Sequence, residues 1–170
     1  EGNQLMLTIK DKPNAVWSFT QLAAVHARIK KYDLAIKYIE EALTRFPTYY
    51  NKANWILDVF PVAALVYTDI VVNTPDLSNE KKKEYLKKAG MACWRASMWS
   101  KAVPYITGLT FQVNGTYLWL IGKKKKAIKT WDKALHWLKT NKNNAGVDKY
   151  RLAYILLEEA KFLLTDNPKD

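Results

Sequence analysis

The sequence predicts an all-α fold of about seven helices, packed as stacked antiparallel pairs. Three observations carry this. No segment sustains the period-two alternation of a strand, and six Gly and six Pro in 170 residues are too few for a turn-rich β fold. Small residues also recur in phase on apolar helical stripes. In YDLAIKYIEEALTRFP, Tyr32 to Pro47, Ala35 and Ala42 lie seven apart, about two helical turns, on one face with Ile36, Ile39 and Leu43. Lys37, Glu40, Glu41 and Arg45 look outward, and Pro47 is expected to end the helix.

In chain order, residues 1–10 show no clear period, and Asp11-Lys12-Pro13-Asn14 reads as a helix start. The first helix runs to about Lys31 with Val16, Phe19, Leu22, Ala23 and His26 inward; His26 is read as a packed residue rather than a ligand. A corner at Lys31 and Tyr32 forces the next helix antiparallel. From Thr48 to about Asn73 a long apolar helix is expected, kinked or split by Pro61. Ser78 opens a fourth helix, basic at first and then apolar through Leu86, Ala89, Met91, Cys93, Trp94 and Met98. Gly90 within it is expected at a close helix contact. A fifth helix runs from Val103-Pro104 to Ile121, ended by Gly122. A sixth spans about Lys124 to Thr140 with Ala127, Ile128, Trp131, Ala134, Leu135 and Leu138 inward. After the polar stretch Asn141 to Gly146, a terminal helix over 147–164 is amphipathic through Leu152, Ile155, Leu156, Ala160 and Leu163. Residues 1–170 thus form one expected domain, with hairpins at 14–47, 48–100 and 103–140 and a terminal helix. The start at Glu1 without Met suggests a piece of a larger protein.

The formal net charge of +11 is concentrated in Lys81 to Lys83 and Lys123 to Lys126. It reads first as a solvated lysine surface, because neither run is interleaved with aromatic residues as a single-strand binding surface would be. Cys93 is the only cysteine, so a disulfide scaffold is excluded and a buried thiol is expected. Asp58 and Asp69 interrupt the most apolar stretch, Ala53 to Val72. A soluble, cytoplasmic protein without a membrane partner is therefore expected. Catalytic motifs are lacking: GKKKKA is not a phosphate loop, and neither H-E-x-x-H nor C-x-x-C occurs. The neighbours Glu40–Glu41 and Glu158–Glu159 diverge by about 100° on a helix and cannot converge on one atom. No catalytic, metal-binding or cofactor-binding residue is expected, and no enzymatic role.

The pairs repeat. Phe19-x2-Leu22-Ala23-x2-His26 followed by Ala35-x3-Ile39-x2-Ala42 returns as Phe111-x2-Asn114-Gly115-x2-Leu118 followed by Ala127-x3-Trp131-x2-Ala134. Phe to first Ala is 16 residues in both (35−19, 127−111), and the two hairpins lie 92 apart (127−35). The pattern resembles the tetratricopeptide repeat, W-x2-L-G-x2-Y, A-x3-F and a terminal P at a period of about 34. Leu22, Ala35, Ala42, Pro47, Gly115, Ala127 and Ala134 match it, while His26, Asn114 and Lys139 depart. Because 92 is not a multiple of the period, the middle hairpin is a degenerate repeat with longer helices. A second likeness covers roughly residues 86–164. GTYLWLIGKKKKAIKTWDKALHWLKT, with Gly122, Lys123, Ala127 and Trp131, looks like the C-terminal helical-repeat tail of large signalling ATPases linked to cyclase or kinase modules.

These resemblances imply a right-handed α-solenoid with a regulatory or interaction role, its concave face lined by the first helix of each pair. On that face Trp17, Gln21, Arg28 and Tyr49 are candidate partner contacts, together with Asn54, Asn114 and Tyr117. Asn14, Asn51 and Thr110 are further outward candidates there. The implied partner is a protein, a peptide or upstream domains of the same chain. The alternatives are a nucleic-acid-binding α-repeat using the lysines, and a structural or oligomerisation segment. Scarce Arg beside Lys weighs against nucleic acid.

Overall fold

The computed structural model describes residues 12–46, 54–140, 155–157 and 159–164; within them the chain is helical, with no strand. The elements are α1 (Lys12–Arg28), α2 (Tyr32–Arg45), a 3-10 turn (Asn54–Asp58), α3 (Val59–Asn73), α4 (Asn79–Trp99), a second 3-10 turn (Pro104–Ile106), α5 (Thr107–Leu120) and α6 (Lys124–Thr140). Residues 155–157 and 159–164 are also helical. Residues 1–10, Pro47, Asn141 to Gly146 and Leu152 lie outside the described residues.

The most extensive packing joins chain neighbours, α1 with α2, α3 with α4 and α5 with α6. Beyond these pairs, α3 also rests on α1, α2 and α5, and α4 packs on α5. Ala35, Ala42, Ala127 and Ala134 are all fully buried, as their shared phase in the sequence requires. At each such place a methyl group lets the partner helix come close.

The outer two pairs turn in the same way. After α1, Lys31 N–H donates to His26 O and Lys30 N–H to Ala27 O, both at 2.9 Å. After α5, Lys123 N–H donates to Leu118 O at 2.8 Å and Gly122 N–H to Trp119 O at 2.9 Å. Both are Schellman turns, whose penultimate residue must take a left-handed conformation. Gly122 does so at φ +79°, and Lys30, 92 residues earlier (122−30), at φ +58°.

The middle of the molecule is α3, buried on nearly every side from Val59 to Ile70. Ile56–Asn73 is long and apolar enough to cross a membrane, yet 67% of it is buried within the molecule, as befits a core helix. The α-helix Val59–Asn73 runs through Pro61 without a break. The proline sits in the first turn of α3, where it is tolerated, and the chain passes from 3-10 to α-helix just upstream, between Asp58 and Val59.

In two helices the apolar residues read from the sequence divide between a buried and an exposed face. On α4 the buried residues are Ala89, Ala92, Cys93 and Ala96, whereas Met91, Trp94 and Met98 are exposed. Small residues let α4 lie close against both α3 and α5, so the large apolar side chains are the ones turned out. In the terminal helix Ile155 and Phe162 are buried, while Leu156, Ala160 and Leu163 are exposed. Phe162 stacks on Trp131 with centroids 5.7 Å apart and planes 13° apart, and Trp119 lies 5.7 Å from each ring. That aromatic contact turns the helix about its axis, away from the leucine face that periodicity alone selects.

Candidate binding groove

A groove of about 400 Å³ opens over α3, between α2 and α4. Its floor is built from the residues that the helix spacing aligns. Phe60 and Tyr67, two turns apart on α3, are each only 2% exposed, with Leu43 of α2 and Ala92 of α4 beside them. Phe46 meets Phe60 edge-on at 4.7 Å and 66°, and Tyr85 stacks on Tyr67 at 6.0 Å. These contacts fix the floor aromatics in place.

One side of the groove is a single stripe of α4. Lys87, Met91 and Arg95 follow one another at i, i+4 and i+8 along it, and Trp94 and Met98 lie on the adjoining outer face of α4 without lining the groove. Met91 is 52% exposed, Trp94 61% and Met98 53%. Large apolar groups held this far into water, beside an apolar trough, are the surface chemistry of an interface.

Charge is arranged unevenly along the rim. Lys88 Nζ reaches Glu40 Oε1 at 2.7 Å and Glu84 Oε1 at 2.9 Å, bridging α2 to α4. The hydrogen bond to Glu40 is the main reason its ammonium is held above its ordinary pKa. Burial, then the nearby Glu40, pushes the Tyr67 phenol up to about 12, so it stays neutral on the floor. The guanidinium of Arg95 lies over the Phe60 ring at 5.5 Å. Neither Lys87 nor Arg95 has a carboxylate partner among the described residues.

The residues that the sequence singled out lie elsewhere. Trp17 is 44% exposed and Arg28 is exposed, both on α1. Gln21 Nε2 donates to Asp58 Oδ2 at 2.9 Å and so braces α1 against the 3-10 turn. Asn114 Nδ2 donates to Ser97 Oγ at 2.8 Å, tying α5 to α4. Tyr117 covers Gly90, where a Cβ would come within 2.5 Å of the phenol oxygen; this is the close contact expected at that glycine. Thr110, expected outward, is 1% exposed, because α5 is covered on several sides by α3, α4 and α6. Asn14 is exposed on α1. Tyr49, Asn51 and the Asn54 side chain lie outside the described residues. None of these residues lines the groove.

The groove was missed because α4 carries two apolar stripes. The one of small residues, 89/92/93/96, is the packing face, and the one of large residues, 91/94/98, is free. The signal was present in side-chain size rather than in hydropathy.

Chemistry is sparse elsewhere. A recess of about 10 Å³ lined by Thr68, Asp69, Gln112 and Thr116 has room for a single water. Burial pushes the Cys93 thiol up to about 12, leaving an inert packed group. No three His, Cys, Asp or Glu side chains gather as metal ligands among the described residues. Compared with family models, curated proteins and solved structures, the chain matches none.

Proposed function

We propose that this chain is a non-catalytic protein-interaction module, a tetratricopeptide-like stack of helix pairs that docks a helical segment of a partner in the α2–α3–α4 groove. The observation that carries the reading is Met91, 52% exposed on the α4 side of the apolar groove, with the exposed Trp94 and Met98 on the adjoining outer face of α4. A helix laid in such a trough is gripped by residues at helical spacing, and Trp is enriched among the anchors of binding surfaces. The repeat-like reading is supported by the 92-residue phase shared by sequence and turns. It is also supported by packing of the first helix of one pair on the first helix of the next, α1 on α3 and α3 on α5.

The test is selection from a displayed library of helical peptides against the intact chain. Selected peptides are then re-measured against Met91→Asp and Trp94→Ala variants, both at exposed positions that leave the core untouched. Loss of about tenfold or more in affinity is expected for each. Selected peptides that bind both variants unchanged would place the interaction elsewhere and sink the groove.

A further inference from the structure

We propose that the groove's occupant is an acidic amphipathic helix whose carboxylates, about two turns apart, meet Lys87 and Arg95. This rests on reading the groove as a docking site and adds the chemistry of its partner. The argument is a balance of charge. Lys87, Lys88 and Arg95 line the groove against the single carboxylate of Glu84. Lys88 is engaged by both Glu84 and Glu40 of α2, so three cations face two carboxylates and the rim keeps a net positive charge, with Lys87 and Arg95 outside that cluster. Two cations on the α4 rim then remain for a partner.

Their spacing sets the geometry. Eight residues of α-helix separate Lys87 from Arg95, about 12 Å along α4. A helix lying beside α4 matches that span with acidic residues at i and i+7 or i+8. Met91 lies midway between the two cations, so the partner's apolar face falls between its own carboxylates. Arg95 is the better specified contact, because its guanidinium is held over the Phe60 ring at 5.5 Å and can capture a carboxylate in bidentate fashion.

An anionic nucleic acid would answer the same charges, but the floor does not suit it. Phe60 and Tyr67 are closed to solvent, so no base can stack on them. The remaining lining of Leu43, Ala92 and Met91 accepts aliphatic groups.

The test uses the full chain and two designed peptides of about 18 residues, long enough to be helical when bound. They share one leucine face and differ only in carrying Glu or Lys at its flanks. Fluorescence anisotropy is expected to show the Glu peptide bound about tenfold or more tightly than the Lys peptide, with affinity falling as salt rises. In the double variant Lys87→Glu/Arg95→Glu the preference should reverse, while Lys87→Glu alone should weaken the Glu peptide and leave Arg95 on Phe60. Equal binding of the two peptides would overturn the acidic partner and leave the groove standing. Binding of neither would remove the docking site itself. A Glu peptide that the double variant binds unchanged sits elsewhere and overturns the proposal. Its displacement by a single-stranded oligonucleotide, lost in the double variant, would reassign the cations to nucleic acid.

Discussion

The first helix pair packs Ala23 and Ile39 into its core; 92 residues later the corresponding positions of α5 and α6 hold Gly115 and Trp131 (115−23, 131−39). All four residues are buried. In the later pair the glycine is obligatory, since a Cβ at 115 would run into the Trp131 indole ring. That ring also donates from Nε1 to the Gln112 carbonyl at 3.2 Å. Two pairs of the same phase therefore fill the same place with opposite divisions of volume. The repeat constrains the sum of two side chains more than it constrains either one.

The largest effects should come from exchanging those divisions. Trp131→Ile opens a cavity under Phe162 and removes the indole hydrogen bond to the Gln112 carbonyl, an expected loss of about 3 kcal/mol. Gly115→Ala forces the indole aside, and even after its better helix propensity should cost about 2 kcal/mol. The double variant recreates the Ala–Ile pairing of the first hairpin, so urea denaturation should show a loss smaller than the sum by at least about 1 kcal/mol. Strict additivity would break the equivalence of the two pairs.

The turns test the same comparison at lower amplitude. Lys30 adopts a left-handed conformation that favours glycine, whereas Gly122 already meets that need. Lys30→Gly should raise thermal stability by about 0.5–1 kcal/mol, and Gly122→Ala should lower it by about 1 kcal/mol. If both substitutions destabilise, the two turns are not the same device.

A smaller effect distinguishes how each outer pair is tied to the middle. Tyr32 of α2 donates its hydroxyl to Asp69 Oδ2 on α3 at 3.1 Å, while the matching Lys124 lies over Trp119 at 5.3 Å within its own pair. Burial raises the Asp69 pKa, against the lowering effect of the Tyr32 hydrogen bond. A carboxyl whose pKa is raised on folding binds its proton more tightly when folded. Asp69 therefore adds stability as pH falls through its folded pKa, and the gain levels off below the unfolded value of about 3.9. Measured from pH 7 downward, the wild type should gain on an Asp69→Asn variant over that window. Parallel pH profiles would remove Asp69 from the account.

Much of the fold was legible from the placement of small residues. Ala35, Ala42, Ala127, Ala134 and Gly122 mark helix crossings and a turn because bulk is excluded there, and exclusion leaves a trace in sequence. Helix rotation was less legible. Met91 and Ala92, or Leu163 and Phe162, are neighbours that both read as apolar, and which one turns inward depends on the shape of the opposing helix. The candidate groove was hidden for that reason, since its α4 side is marked by Met91, a large apolar residue that packing leaves outside. Lys30 gave no sign of its turn, because lysine carries no preference for that conformation.

The burial of α3 has a consequence for how the molecule holds together. Repeat arrays commonly melt piecemeal, because each unit leans only on the next. Here one apolar helix is walled in by α1, α2, α4 and α5, so uncovering any one of its sides exposes a segment as greasy as a membrane span. The pairs on either side are thereby bound to a common fate. Between Lys12 and Leu120, unfolding should pass through a single transition, and a chain cut after Asn73 should aggregate or seek lipid instead of persisting as a shorter stack.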